Sequence, residues 1–533
     1  MSGKPTSEQL AAEAHRHHLA GRLAQAEAGY RAALAASGRN ADAARLLGAL
    51  LLQRGDAAGA IPLLEKSVRL KPSPAAWVNL AAAVRASDPA RAADCCRRAI
   101  ALDKTLPAAF FNLGHAYRDL KNLPAAADAY RAYLALEPRD AEGHVILGDT
   151  LRLMAQPDAA MAAYETALVY DSTHVNAHIN VAGIVQSQGY FHAGLAVLES
   201  LERAAPDSAE ARKALAVARL QLGDFARGWE GFEARFDATT ERVSRRPAPP
   251  AYWQGESLAG KSILIWTEQG LGDEILFSSM VPDVLARAGA CAIQCSPRMV
   301  PLFQRSFPGA SVVARDAPET AGRGAAFDFQ QSAASLARYL RDDFTGFPRH
   351  QGYLKADESL RMRLREKYLA RAGGRRIVGL SWRSVNPAFG DAKSAALLNF
   401  APILTQPDAL FVNLQYGDCR AEIAAVRDAL GIDIVEDAEV DSAASMDDFF
   451  AQVAAMDLVI TTSNTTAHAA GALNVPVWIL LPFAAGSIWY WFLRRADSPW
   501  YPSAILMRST DTAEPWERIP VAQAAAGLAG AAR

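Results

Sequence analysis

The feature that most constrains this chain is an internal repeat, with a period of about 34 residues, in its first half. Each period contains two helical patterns joined by a turn, and the clearest unit runs from Phe110 to Pro138. A unit of this size cannot bury its apolar face alone, so neighbouring units must stack. The period therefore predicts an elongated, all-α solenoid. The characteristic positions of this unit are Phe110, Leu113, Gly114, Tyr117, Ala126, Tyr130, Tyr133 and Pro138.

The same spacing continues on both sides of that unit, and about seven units span residues 7–236. Small residues at the glycine and alanine positions let paired helices approach closely. The pattern resembles the tetratricopeptide repeat (TPR) family, which implies a concave surface that binds a protein partner. Equivalent positions in other units are Leu47, Gly48, Ala60, Trp77, Ala81, Leu147, Gly148, Ala160, Ala182, Gly194, Ala216 and Gly228.

The second half has a different hydrophobic pattern. A polar, proline-rich stretch at 237–252 fits neither helical nor strand periodicity and reads as a linker. Beyond it, short apolar runs alternate with helical segments, as buried parallel strands and crossover helices do. We expect two Rossmann-like lobes, 253–350 and 358–533, with a ligand cleft beyond the carboxyl ends of their strands. The predicted strands are 263–267, 292–295, 311–313, 377–382, 410–415, 458–462 and 475–481.

The first loop of interest follows the opening strand and reads EQGLGDEILFSS. Gly270 and Gly272 allow a tight turn, and Asp273 stands where a helix begins. A dinucleotide fingerprint needs a third glycine where this chain has Ile275, so NAD binding is not expected. Asp273 is either a helix cap, a general base, or both.

The second loop, SWRSVNPAFGDAKS, carries Arg383, Lys393 and Ser394 to the predicted mouth of the cleft. Cations there can neutralise a departing nucleotide phosphate. The alternative is a basic loop that is merely solvated.

The third loop, TTSNTTAHAAGAL, joins a strand to a helix. The free amide groups and positive dipole end of such a helix can hold a phosphate, and short polar side chains complement that site. The same cluster can instead serve only to cap the helix. The candidate donor-binding residues of this loop are Ser463, Asn464, Thr465, Thr466 and His468.

A later segment, 483–509, is rich in aromatic residues and arginines. Its tryptophans and tyrosines either stack a nucleotide base or a sugar, or hold the two lobes together. The sequence leaves these two roles open.

Taken together, GLGDEILFSS, SWRS with a later Lys-Ser, and SNTTAHAAGAL resemble motifs of bacterial GT-B glycosyltransferases related to heptosyltransferases. The resemblance covers residues 251 to about 510. It implies that Asp273 is the base toward the acceptor hydroxyl, that Lys393 contacts phosphate, and that 465–468 lies in the donor-diphosphate segment. Where those relatives carry an Asp-Thr-Gly signature this chain has Asn-Thr-Thr, so the donor sugar is not identified.

The combination of repeats, a GWEGFEARF segment and this domain more closely resembles TPR-containing glycosyltransferases, which include alphaproteobacterial flagellin glycosyltransferases. The resemblance implies a protein O-glycosyltransferase that uses a nucleotide-sugar as co-substrate, with flagellin as the implied acceptor. No Asp-x-Asp motif occurs in the second half, which favours a metal-independent reaction without a cofactor. Two rival readings are a non-catalytic adaptor and a transferase that acts on the lipopolysaccharide core.

Composition limits the classes of protein to which this chain can belong. The 533 residues are 51% hydrophobic and 21% charged with a formal net charge of -2, and no polybasic run suggests nucleic acid. We find neither a signal-peptide pattern nor an apolar run of about 18 residues that could span a membrane, and therefore expect a cytoplasmic protein. The five cysteines lack zinc-site spacing and are expected to be reduced and structural, and the histidines to be surface or groove residues.

Overall fold

The computed structural model describes residues 4–239, 243–247, 250–316, 327–384, 390–442, 444–484, 486–510 and 515–530. The chain divides into two compact units, Met1–Val181 and Ala182–Arg533. The boundary between them falls inside the sixth helical repeat, so the end of the repeat array belongs to the same unit as the α/β part.

Seven consecutive helix pairs occur in the described part of the first half, and they match the predicted repeats. Polar side chains at Asn40, Asp56, Ser73, Asp140 and Ser208 cap their first turns. The helices are α1 (Ser7–Leu19), α2 (Leu23–Ala36), α3 (Ala41–Gln53), α4 (Ala57–Leu70), α5 (Pro74–Val84), α6 (Pro89–Leu102), α7 (Pro107–Asp119), α8 (Leu123–Leu136), α9 (Ala141–Leu153), α10 (Pro157–Tyr170), α11 (Val175–Ser187), α12 (Phe191–Ala204), α13 (Ala209–Gln221) and α14 (Phe225–Phe232).

The periodic glycines have a direct packing role. A Cβ atom on Gly114 would lie 2.4 Å from the ring of Tyr130, and one on Gly148 would lie 2.5 Å from the ring of Tyr164. Both glycines are thus covered by a fully buried tyrosine of the second helix, and Gly48 is covered in the same way by the buried Leu64, 2.6 Å from its Cβ position. The glycine and tyrosine positions of the repeat are therefore two halves of one contact, which explains why they recur together.

Two five-stranded sheets form the core of the second half, and all the strands within each pair in parallel. The first has the order β1-β5-β2-β3-β4 and the second β10-β9-β8-β6-β7. The strands are β1 (Ala251–Tyr252), β2 (Ser262–Trp266), β3 (Ala290–Cys295), β4 (Ala310–Ala314), β5 (Phe329–Ser332), β6 (Arg376–Ser381), β7 (Ala409–Asn413), β8 (Leu458–Thr462), β9 (Val477–Leu481) and β10 (Ala504–Arg508).

Helices follow most of these strands, so this half is α/β with parallel, Rossmann-like sheets, as expected. Each of the seven predicted strands coincides with an observed one, whereas β1, β5 and β10 were not predicted. β1 lies within the stretch interpreted as linker, because it is only an edge strand paired with β5. The helices are α15 (Leu271–Ser278), α16 (Val281–Leu285), α17 (Val300–Ser306), α18 (Ala337–Leu340), α19 (Glu358–Ala372), α20 (Ala401–Leu404), α21 (Arg420–Leu430), α22 (Met446–Ala454), α23 (Thr465–Ala472) and α24 (Arg518–Gly530).

The strand order identifies where ligands can bind. In the first sheet the order in which strands are added reverses at β2. The next strands, β3 and β4, lie on one side of β2, and the later strand β5 lies on the other side. In the second sheet the same occurs at β6, between β7 and β8. Ligands of such folds occupy the crevice beyond the carboxyl ends of the strands at these switch points. The loops that follow β2, β6 and β8 are the three loops that the sequence analysis singled out.

The end of the repeat array packs directly on the α/β part. The indole of Trp229 in α14 donates a hydrogen bond to the carbonyl of Arg341 at 2.8 Å, and its ring meets that of Trp489 at 5.4 Å between centroids. Phe225 meets Phe492 at 5.5 Å. The expected packing of the GWEGFEARF segment against the second half is therefore present.

Among the described residues, no helix has both the length and the apolar character needed to cross a bilayer.

Candidate functional site

Asp273 lies in the first turn of α15, just beyond the carboxyl end of β2. Its Oδ2 atom accepts a hydrogen bond from the backbone N–H of Gly270 at 3.2 Å, so it closes the turn before the helix. The residue at the start of this turn, Gln269, has a left-handed φ of 62°, which is unusual for a residue with a side chain. The prediction of Asp273 as the N-cap residue is corrected in position: Gly270 is the N-cap, and Asp273, the third helical residue, caps the turn by accepting the Gly270 N–H.

The environment of Asp273 also suits a base. Burial raises the pKa of its carboxyl to about 6, the negative charge of Glu268 adds to the rise, and the Gly270 amide and the Lys393 ammonium oppose it. A carboxylate with a pKa near neutrality binds a proton more readily than an ordinary aspartate and is still largely ionised at pH 7. Capping and proton transfer are compatible here.

Lys393 reaches the same place from the other sheet, at the end of a short 3-10 turn, Asp391–Lys393, after β6. Its side chain is buried, and that burial lowers the pKa of the ammonium while the Asp273 carboxylate opposes the decrease. A Cβ atom on Gly486 would lie 2.5 Å from the carbonyl oxygen of Ala392, so the turn is held tightly against its neighbour. The structure therefore brings Asp273 and Lys393 within electrostatic reach of each other, although 120 positions separate them.

The loop after β8 supplies the N-terminus of α23. Asn464 caps this helix, accepting a hydrogen bond from the backbone N–H of Thr466 at 2.9 Å, while its amide donates to Ser381 at 2.8 Å. Ser463 accepts a bond from the indole of Trp491 at 2.8 Å. These two side chains thus hold the loop together. Thr465 is half-buried at the first helical position, and the hydroxyl of the buried Thr466 has no hydrogen-bond partner.

His468 connects the two lobes. Its ring is buried, lies nearly parallel to that of Trp491 and has Nδ1 2.8 Å from the hydroxyl of Tyr501. A Cβ atom on Gly272 would approach its Cδ2 atom to 3.1 Å, so the N-terminus of α15 packs against α23. Burial, with the nearby Lys393 charge, lowers the pKa of this imidazole to about 3. His468 is therefore neutral and at the interface between the lobes.

Arg383 and Ser394 lie beside this centre with their polar groups engaged. The guanidinium of Arg383 donates to Glu422 at 2.9 Å and to the carbonyl of Asp418 at 2.6 Å. Ser394 donates to the carbonyl of Gly390 at 2.7 Å and so braces its own loop. Part of the predicted second loop, 385–389, lies outside the described residues.

Sequence reasoning missed a buried ion pair at this site. Arg235, in the last segment of the repeat array, donates from Nε to both carboxylate oxygens of Glu268 at 3.2 Å and from Nη2 at 2.6 Å. Glu268 is the second residue after β2, and its charge adds to the rise in the pKa of Asp273 that burial causes. A charged residue between Phe232 and Phe236 was the available signal, because an arginine within an aromatic cluster needs a carboxylate partner.

The aromatic segment after β9 mainly holds the protein together. Trp491, Trp500 and Tyr501 are fully buried, and Trp489 packs on Trp229. Arg495 lies over the ring of Phe344 and pairs with Asp497. Of the two roles that the sequence left open, packing between the lobes and the repeat end is present, and stacking on a base or a sugar stays a prediction.

The described residues contain no group of three or more His, Cys, Asp or Glu side chains that could hold a metal ion. The five cysteines are buried and unpaired, as expected.

Comparison with known proteins extends beyond the repeats. Protein FlbA of Caulobacter vibrioides is 32% identical over 410 residues, which is 74% of this chain and 68% of FlbA. The chain belongs to the FlbA family. Because the repeat array ends near Phe236, an alignment of this length must continue well into the α/β part. The similarity to FlbA therefore includes both halves of the molecule.

The repeats themselves match the tetratricopeptide repeat model over residues 12–75 and 81–141. Among solved structures, MamA from Desulfovibrio magneticus RS-1 is 16% identical, covering 32% of this chain and 96% of its own, with a TM-score of 0.30. A thermophilic TPR protein of Thermus thermophilus is 22% identical, covering 34% of this chain and 99% of its own, with a TM-score of 0.28. Each of these likenesses covers about a third of this chain.

Proposed function

We propose that this FlbA-family protein is a metal-independent GT-B glycosyltransferase, which moves a sugar from a nucleotide-sugar to a serine or threonine of a protein bound by its repeats. The observation that carries the proposal is the electrostatic interaction between the charges of Asp273 and Lys393. They come from two parallel sheets, each lies beyond a switch point, and each perturbs the pKa of the other. Two Rossmann-like lobes with their reactive groups at the shared edge are the expected architecture of a GT-B enzyme.

In this reaction the Asp273 carboxylate takes the proton of the acceptor hydroxyl as its oxygen attacks the anomeric carbon of the donor. The bond from that carbon to the nucleotide phosphate breaks, and the phosphate leaves with the electron pair. The charge that develops on the phosphate is stabilised by the Lys393 ammonium and by the N-terminus of α23, whose first residue is Thr465.

Existing hydrogen bonds reduce the set of candidate residues that are available to contact the donor. Asn464, Ser463, Arg383 and Ser394 already have protein partners, and their contribution is to shape the two loops. The groups left to contact the donor are Lys393, the half-buried Thr465 and the hydroxyl of Thr466, whose hydrogen-bond capacity is unused. An unsatisfied buried hydroxyl is costly, and a ligand oxygen would satisfy it.

In this proposal the repeats bind the acceptor protein. In the first unit a groove of about 650 Å³ lies at the ends of α5, α7 and α9. Its mixture of exposed apolar and cationic groups suits an extended protein segment better than a small molecule. FlbA carries a flagellum-related name, and flagellin is accordingly the acceptor that we propose, modified in the cytoplasm. The groove is lined by Arg85, Ala86, Pro89, Arg118, Asp119, Lys121, Leu123 and Leu153.

The rival with a specific observation in its favour is a non-catalytic adaptor. Several side chains expected to bind the donor are instead engaged in holding their loops, as a pseudoenzyme could also retain them. The raised pKa of Asp273 favours catalysis, because burying an unneeded carboxylate has a cost that an adaptor has no reason to retain.

One experiment separates these readings. Removal of the first compact unit, Met1–Val181, leaves the second unit whole. We expect this shortened protein to bind a nucleoside diphosphate, measured by calorimetry, with the affinity of the full chain, and to hydrolyse or transfer donor sugar slowly without modifying flagellin. Normal flagellin modification by the shortened protein would remove the acceptor role of the repeats. Failure of both proteins to bind any nucleotide would favour the adaptor.

A further inference from the structure

The feature that leads beyond the proposed function is the buried guanidinium of Arg235. It is 0% exposed and lies in the short 3-10 segment Glu233–Phe236 that ends the repeat array. Burial alone would lower the pKa of this group, but the carboxylates of Glu268 and Glu233 raise it, so the guanidinium stays charged. A buried charge of this kind persists only where every donor is satisfied.

Every donor nitrogen of Arg235 has a partner within its surroundings. Besides the pair with Glu268, Nη1 donates to the carbonyl of Phe232 at 3.0 Å and to Glu233 at 2.9 Å. Nη2 also donates to Ser335 at 2.8 Å and to Ser332 at 3.2 Å. Phenylalanine rings lie on the guanidinium with 4.1 and 4.6 Å to their centroids. The side chain is thus fixed in one position.

Glu268 is the first anchor of the turn that carries Asp273. Its carboxylate is held by Arg235 and by a hydrogen bond from the Ser332 hydroxyl. The next residue, Gln269, has the left-handed φ of 62°, and Asp273 closes the turn onto Gly270. Backbone in such a sparsely populated region persists only where the surroundings impose it. The anchor on one side is Glu268 and the anchor on the other is Asp273 itself.

Glu268 also carries a negative charge behind Asp273 and disfavours its ionised form. The paired guanidinium compensates that charge. Without that guanidinium, an uncompensated negative charge would lie behind Asp273 and would disfavour its ionised form more strongly.

We infer that Arg235 is a positioning residue for the Asp273 base: by holding Glu268, the last segment of the repeat array fixes the catalytic turn and neutralises the charge behind it. The inference rests on the proposed function of Asp273. It makes the end of the repeat array part of the catalytic unit, in addition to any role of the earlier repeats in holding the acceptor.

The test uses the full chain with Arg235→Gln, Glu268→Gln and both together, and measures kcat/KM for sugar transfer to flagellin against pH. In wild type the rate should fall below about pH 6, as Asp273 takes up its proton. Arg235→Gln should move this limb up by about one pH unit, and Glu268→Gln should move it down. The double variant should return it close to the wild-type position.

A role confined to packing predicts a different result. Arg235→Gln would then lower the amount of folded protein without moving the limb, and Glu268→Gln would give no rescue. The same limb in all four proteins would overturn the inference. If Arg235→Gln alone does not fold, the downward shift in Glu268→Gln and its reversal in the double variant still decide the matter.

A second readout needs no turnover. In each background, the melting temperature with Asp273 is compared with that of Asp273→Asn from pH 4 to 9, and the pH at which the difference levels off reports the ionisation of Asp273 in the folded state. If this levelling-off pH shifts between backgrounds but no sugar is transferred, the electrostatic link is supported and the proposed function is removed. If this pH does not shift although sugar transfer is active, the inference is overturned and the proposed function stands.

Discussion

The ring nitrogen Nδ1 of His468 lies 2.8 Å from the hydroxyl oxygen of Tyr501, and both side chains are buried. The other ring nitrogen is 3.3 Å from the hydroxyl of Tyr490. Because the ring also packs against the first turn of α15, one neutral imidazole links the helices that carry the two candidate loops. The stability of this contact should therefore depend on pH.

The first prediction concerns His468. Its pKa is lowered from 6.5 to about 3, so below pH 6.5 the unfolded chain takes up a proton that the folded chain does not. Stability is fully present above pH 6.5 and should decrease by up to about 5 kcal/mol as the pH falls toward 3. His468→Gln should flatten this dependence, as measured by urea unfolding between pH 4 and 8.

The matched control is His192→Gln, since His192 is exposed on α12. This variant should retain the wild-type pH dependence. An equal slope in wild type and His468→Gln would mean that the buried imidazole does not govern acid stability.

The second prediction concerns the cost of the base. Asp273 has a pKa raised from 3.8 to about 6, so as the pH rises through this window the unfolded state ionises first and the folded state loses stability. Above pH 6 the penalty is constant, at up to about 3 kcal/mol. Asp273→Asn keeps an acceptor for the Gly270 amide and should therefore be more stable than wild type at pH 7, while sugar transfer falls by roughly 10²- to 10⁴-fold.

Asp273→Ala separates the two roles of the residue. It removes the penalty but also the cap, which is worth about 1 kcal/mol, so its gain in stability should be smaller than that of Asp273→Asn. Loss of stability in both variants at pH 7, measured by thermal unfolding, would contradict the view that desolvation of the Asp273 carboxylate destabilises the folded state.

The third prediction concerns Lys393. Its positive charge lowers the pKa of Asp273, so Lys393→Met should move the acid limb of the transfer reaction above pH 6. Loss of phosphate stabilisation should also reduce the rate by about 10²-fold or more. Lys355→Met, which removes an exposed lysine, is the control and should change neither quantity. An unchanged limb in Lys393→Met would separate Lys393 from the base.

The fourth prediction concerns the limits of the second unit. A fragment 188–533 retains α12–α14, whereas 237–533 loses Trp229 and Arg235 and leaves the buried carboxylate of Glu268 without its partner. Removing one member of a buried ion pair alone costs about 3–5 kcal/mol. The shorter fragment should therefore melt at a lower temperature and bind hydrophobic dye. Equal melting of the two fragments would show that the repeat end is dispensable for folding.

Much of the fold was predictable because its determinants are local. The repeat period is set by contacts such as Gly114 with Tyr130, sixteen positions apart, which recur as Gly48 with Leu64 and Gly148 with Tyr164. Strands such as β9 are continuous apolar runs that are almost entirely buried, as their pattern predicts.

The missed elements depend on distant partners. Strand β5 contains buried glutamines instead of apolar residues: the amide of Gln331 donates to the carbonyl of Trp253 at 2.9 Å, and that of Gln330 to Pro250 at 2.7 Å. Pro250 belongs to the stretch that looked like a linker and Trp253 follows it directly, so no local pattern could reveal the strand. The side-chain amides of its glutamines find their hydrogen-bond acceptors about 80 positions away in the chain.

For the candidate site, the positions of the loops were predictable from the sequence, but the partners of individual side chains were not. Asp273 follows β2, at one switch point, and Asn464 follows β8, which pairs with β6 at the other, so the sheet order brings each loop to the ligand-binding edge of its sheet. The engagement of Arg383 by Glu422 and the pair of Arg235 with Glu268 depend on side-chain geometry across the fold. Residue types alone do not determine which carboxylate a given arginine will find.

The most direct test of the central claim is intact-mass analysis of flagellin, and of total abundant protein, from cells that express wild-type protein or Asp273→Asn. Because the variant keeps the helix cap, it should accumulate normally. We expect flagellin from wild-type cells to be heavier by one or more sugar units and to lose that mass in the variant, which would also identify the donor sugar. Identical masses in both strains for every protein measured would contradict the assignment of a protein glycosyltransferase.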